Sequence, residues 1–74
     1  MANPLQEQFA EILLDRITSD RHPSSTHMDM FESLAPPHQR VQFVLYLLDR
    51  IASDENPSIP MMHRAQRLIT AFGR

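Results

Sequence analysis

The sequence predicts an all-α protein: a compact four-helix domain made of two duplicated helix–corner–helix hairpins with pseudo-twofold symmetry. Apolar residues recur at helical spacing along four segments. In addition, the segment "LLDRITSDRHPSS", which begins at Leu13, is nearly repeated as "LLDRIASDENPSI", which begins at Leu47. A chain of 74 residues suits one domain, so we expect a single helical domain over 1–74. Its two repeat units are expected over about 4–35 and about 37–72.

The first helix is predicted to begin at Pro4, because Asn3 can cap it and proline suits the first helical position. Gln6 is expected to complete a capping box with Asn3. The helix should end near Asp20, because the residue before Pro23 is pushed out of the α region. Its inner face is predicted from five apolar positions at helical spacing: Leu5, Phe9, Ile12, Leu13 and Ile17.

The second helix is predicted to be short, two to three turns, and to start at a serine–threonine cluster from which Ser24 supplies the cap. Met28, Phe31 and Leu34 form its apolar stripe, and the proline pair after Ala35 ends it.

The third helix is apolar on nearly every side, which is typical of a helix that is covered on every side. Either it is the centre of the domain, or another molecule covers one of its faces. Its apolar positions are Val41, Phe43, Val44, Leu45, Tyr46, Leu47, Leu48 and Ile51.

The fourth helix is predicted to start near Ser58 and to end at Gly73. Its inner face is predicted to consist of Met61, Met62, Ala65, Leu68, Ile69 and Phe72.

The repeat itself indicates which residues serve the architecture. Aligning residues 8–34 with 42–68 needs no gap and matches both the long helix and the corner that follows it. Positions alike in both copies are expected to be structural, whereas positions that differ are freer to carry a function. We therefore assign a structural role in the two corners to Asp20, Pro23, Ser24, Asp54, Pro57 and Ser58.

Charge and composition disfavour several classes of function. The net charge is −2, with seven arginines, no lysine and nine acidic residues, so the basic footprint of a nucleic-acid-binding protein is missing. Residues 1–37 hold six acidic residues and two arginines, whereas 38–74 hold five arginines and three acidic residues, and halves of opposite sign can attract each other. No apolar run approaches a membrane span. Together with the absence of cysteine, this leads us to expect a cytoplasmic protein.

Catalysis and cofactor binding are not expected. Gly73 is the only glycine, so there is no glycine-rich phosphate loop, and no serine lies in a nucleophile elbow. His22 and His27 lie near Asp20 and Asp29, but the spacing is not that of a structural metal site. We predict no enzyme, no cofactor and no small-molecule substrate. Ligand or metal binding at these corners is kept as a second alternative.

The predicted function is a small non-catalytic protein–protein interaction module that self-associates, with a homodimer as the simplest form. The third helix carries Leu45 where the first carries Glu11. The main alternative is a helix-turn-helix-like nucleic-acid-binding regulator that uses the basic last helix. Met28 and Met62 match between the copies and are predicted to be core. The candidate interaction residues are Val41, Leu45, Tyr46, Met30, Met61, Arg64 and Arg67.

Overall fold

The computed structural model describes residues 3–72, which form four α-helices and contain no β-strand. The helices are α1 (Pro4–Ser19), α2 (Ser25–Leu34), α3 (Pro37–Ser53) and α4 (Ile59–Phe72). The predicted all-α class is confirmed. The chain divides into two compact units, the first ending at Val41 in the first part of α3 and the second beginning at Gln42.

In the first unit, α1 packs against α2. The side chains buried in this unit include Ala10, Leu13, Ile17, Met28, Phe31 and Ala35. The Gln6 side-chain amide donates to the carbonyl of Leu34 at 3.4 Å, which ties the start of α1 to the end of α2. Met28 and Phe31 are buried as the sequence predicts, and Leu34 is half-buried.

The predicted inner face of α1 is partly wrong. Leu5, Phe9 and Ile12 are exposed by 74%, 42% and 53%, respectively. The buried line instead runs through Ala10, whose small side chain allows close approach. A helix of only ten residues covers one strip of α1, and the three exposed residues lie beside that strip on the helix surface.

The predicted capping box at the start of α1 is also wrong. Asn3 does cap the helix, because its side-chain oxygen accepts from the backbone N–H of Leu5 at 2.9 Å. The Gln6 side chain, however, reaches the Leu34 carbonyl of α2 instead of turning back to Asn3. A contact between helices therefore replaces the local one.

In the second unit, the buried side chains include Phe43, Val44 and Leu47 of α3 together with Ala65 and Leu68 of α4. The prediction that Ile69 and Phe72 belong to the inner face is wrong, since they are 45% and 42% exposed. The buried line of α4 is narrow: Ile69 lies about 100° around the helix from Leu68, and Phe72 stands at the helix end. The predicted stop at Gly73 lies outside the described residues.

Candidate interaction surface and repeated corners

The two corners have the same hydrogen-bonded geometry. After α1, the Asp20 carboxylate accepts from the backbone N–H of His22 at 3.1 Å. After α3, the Asp54 carboxylate accepts from the backbone N–H of Asn56 at 3.2 Å. In each case a carboxylate bonds the backbone two residues ahead, which is an Asx turn. The pre-corner aspartates thus hold the turn itself rather than the first N–H groups of the next helix.

Serine caps the helix that follows each corner. The Ser24 hydroxyl accepts from the N–H of His27, and the Ser58 hydroxyl accepts from the N–H of Met61, both at 3.4 Å. The carbonyls of the same two serines accept the first helical hydrogen bonds at 3.1 and 3.0 Å. Pro23 and Pro57, directly before them, are both half-buried. Sequence identity between the copies thus corresponds to local hydrogen bonding within each corner.

The first corner does not assemble a metal site. His22 and His27 are both exposed. Among residues 3–72, no group of three histidine, aspartate or glutamate side chains is placed to hold a metal ion.

The most distinctive surface of the second repeat is an apolar line along α3. Val41, Leu45 and Leu48 are 46%, 60% and 42% exposed, and Ala52 is exposed one turn further on. Their spacing of four, three and four residues keeps them on one side of the helix. We call these four residues the α3 stripe. The Leu45 side chain is thus not part of the core.

The same side of α1 is largely polar. The positions of α1 that correspond to the α3 stripe hold Glu7, Glu11, Leu14 and Thr18. Glu11 is exposed, and Leu14 is half-buried. One repeat therefore has glutamates where the other exposes leucine and valine, and a contiguous exposed apolar patch is a candidate contact surface.

Tyr46 lies on a different side of α3 from the stripe. One residue beyond Leu45, it points about 100° away. It is half-buried, and its ring stacks on Phe43 with centroids 6.4 Å apart and an interplanar angle of 17°. Of the two methionines proposed for a contact patch, Met30 is 39% exposed and Met61 is half-buried. Leu48 and Ala52, which were not proposed from sequence, complete the stripe instead.

A second apolar line on α1 was also missed from sequence. Leu5, Phe9 and Ile12 lie at i, i+4 and i+7 and form what we call the α1 stripe. Apolar spacing alone could not separate this line from the buried one through Ala10, Leu13 and Ile17, because both repeat at the helical period. The small Ala10 was the available signal for the buried side.

Two basic residues of α4, His63 and Arg67, lie beside an open hollow of about 640 Å³. It is lined by His63, Gln66, Arg67, Thr70 and Ala71. Arg67 is exposed, whereas Arg64 is half-buried. The hollow is open to solvent, which differs from the enclosed, concave pocket of a small-molecule site.

Compared with protein-family models, with curated proteins and with solved structures, the chain gives no match in any of the three. Within residues 3–72, no helix combines the length and the apolar character needed to cross a bilayer.

Proposed function

We propose that the protein is a small non-catalytic protein–protein interaction module that self-associates through the α3 stripe. The observation that carries this proposal is the exposure of Leu45 together with its neighbours Val41 and Leu48 on one helix face. The duplicated helix α1 is polar at the position of Leu45, which argues that the repeat architecture does not itself require an apolar residue there.

The apolar surface of the stripe sets the strength of the contact. Val41, Leu45 and Leu48 together leave the surface of roughly one and a half side chains in water. At about 1.5–3 kcal/mol for each fully buried side chain, covering them contributes about 2–4 kcal/mol per protomer. Two protomers double this, against an association cost of about 4–15 kcal/mol. Even at the lowest association cost, the net gain is at most about 4 kcal/mol, so we expect a weak dimer with a Kd of about a millimolar or higher.

Sedimentation equilibrium over a range of protein concentrations tests the proposal. The unchanged chain should pass from monomer to dimer as its concentration rises. Leu45→Glu, which places the residue of position 11 at position 45, should shift the protein to monomer. Glutamate is a good helix former and the site is exposed, so the helix content measured by circular dichroism should not change.

The matched control is Leu5→Glu, the same change on the α1 stripe at a position 74% exposed. It should leave the monomer–dimer equilibrium unaltered. A monomer at every concentration would contradict self-association. Loss of the dimer in Leu5→Glu with retention in Leu45→Glu would assign the contact to α1 instead.

We further infer that the two hairpins arose by duplication and that the protein works in the cytoplasm. Duplication is supported by the matched hydrogen bonds of Asp20 with Asp54 and of Ser24 with Ser58. The pseudo-twofold packing of the hairpins stays a prediction. The cytoplasmic assignment rests on a sequence without cysteine.

Nucleic-acid binding by α4 is a second candidate function, favoured by the common position of His63 and Arg67 beside the open hollow. The net charge of −2 ranks it below self-association. Retention on duplex DNA at low salt, weakened by Arg67→Gln and by added salt, would support it. No retention at low salt would remove it.

A further inference from the structure

The α3 stripe reads the same in both directions along the helix. Its residues stand at positions 41, 45, 48 and 52, so their spacing is symmetric about a point midway between Leu45 and Leu48. A second copy turned end for end would bring Leu45 level with Leu48, and Val41 level with Ala52. The two bulky leucines then meet at the centre, and a valine meets a small alanine at each end.

Charge along α3 distinguishes this arrangement from a parallel one. The first turn of α3 carries His38, and the corner that follows its last turn carries Asp54 and Glu55. All three residues are exposed. In a parallel pair the two acidic corners would meet each other, and like charges repel. In an antiparallel pair each acidic corner meets the start of the other copy's α3, where the helix dipole is positive.

We propose that the occupant of the α3 stripe is a second copy of this chain, docked antiparallel across a twofold axis that passes between Leu45 and Leu48. The inference rests on the proposed self-association and adds the direction and register of the contact. In this register the acidic corner of each copy lies beside His38 of the other. The contact is isologous, so it closes at two copies.

The chain contains no cysteine, so single cysteines report the register directly. One sample mixes Val41→Cys with a size-tagged Ala52→Cys under mild oxidation. A second sample contains Val41→Cys alone. Both positions are exposed, so neither change opens the core. Circular dichroism of each variant checks that it is folded.

In the antiparallel register, positions 41 and 52 of opposite copies lie level. The two copies of position 41 lie about 16 Å apart along the axis at 1.5 Å per residue. A disulfide needs Cα atoms within about 7 Å, so the mixed cross-link should form at least about ten times faster than the Val41→Cys self-cross-link.

Charge substitutions at the two ends of the contact test the predicted pairing of each acidic corner with the start of the other α3. His38→Glu should weaken dimerisation by about two- to tenfold, because it places like charges together at both ends of the contact. Glu55→Arg should also weaken it, because it places a cation beside the positive end of the other copy's α3. The double variant places opposite charges together at both ends and should recover most of the loss. Recovery requires the residues to face each other across the dimer.

The outcomes separate this inference from the proposal beneath it. A self-cross-link of Val41→Cys that matches or exceeds the mixed one would mean a parallel pair and overturn the inference. A dimer in sedimentation without either cross-link would place the contact elsewhere and overturn it too. A chain that stays monomeric would remove the self-association itself, and the inference with it.

Discussion

Replacing Gln39 by leucine should stabilise the protein. Gln39 lies in the first part of α3 and is a buried polar residue, only 7% exposed. Its amide nitrogen donates a long hydrogen bond, 3.4 Å, to the carbonyl of Glu7 in α1. Its amide oxygen is shut off from solvent and meets no donor among the described residues.

The amide oxygen and the amide nitrogen of Gln39 have opposite effects on the stability of the protein. A buried acceptor without a partner costs about 1–3 kcal/mol, and a typical hydrogen bond contributes about 0.5–1.5 kcal/mol. The hydrogen bond to Glu7 is long, so its contribution belongs at the lower end of the range for a typical hydrogen bond. Leucine and glutamine have similar volumes and similar helix propensities, so packing and backbone terms nearly cancel. The net gain for Gln39→Leu is therefore about 1 kcal/mol, which raises Tm by about 4–8 °C in a domain of this size.

Thermal unfolding followed by circular dichroism measures this gain, at a protein concentration below the expected Kd so that dimerisation does not contribute. The control is Gln42→Leu, an exposed position three residues further along α3, which should leave Tm nearly unchanged. A fall in Tm for Gln39→Leu would refute the reasoning, since it would mean that the hydrogen bond to Glu7 outweighs the cost of the unpaired oxygen.

Two further predictions concern the corners and the core. Ser24→Ala and Ser58→Ala should each lower the free energy of unfolding by about 0.5–1 kcal/mol in urea titrations, because each removes a helix cap. Ser25→Ala, which changes an exposed serine one residue inside α2, should have a smaller effect, and equal losses in Ser24→Ala and Ser25→Ala would contradict the capping role. Phe31→Ala should cost about 3–5 kcal/mol, since Phe31 is fully buried, whereas Leu5→Ala, at 74% exposure, should cost far less. Similar urea midpoints for these last two variants would contradict the buried line described for α1 and α2.

The local features of this protein are the ones that sequence reasoning predicts well. Helix boundaries follow from side chains that act within a few residues of themselves, such as the cap at Asn3 and the cap at Ser24. The corner before Pro23 is of the same kind, because a proline restricts its own neighbour wherever it stands. These features do not depend on what the helix packs against.

Which side of each helix is buried depends on partners that the sequence does not name. On α1, two apolar lines at the same period compete, and the close approach of α2 selects the one through Ala10. Gln6 shows the same dependence on distant partners. The capping-box pattern predicts that its side chain bonds to Asn3 at the start of α1, but its amide nitrogen donates to the Leu34 carbonyl of α2 instead. On α3, sequence alone left open whether Leu45 is central or peripheral, and its exposure in the structure is what makes the stripe a candidate surface.

The backbone of the corners has a consequence for mutational tolerance. No described residue has a positive φ, and the residues that bound the first corner, Asp20 and Ser24, both have extended backbone that any amino acid adopts. Neither corner therefore depends on glycine. In a saturation scan of residues 20–24 and 54–58 that selects for folding alone, we expect the positions that differ between the two corners to accept most residues. Substitutions that impair folding should concentrate at the aspartates, serines and prolines that both corners share.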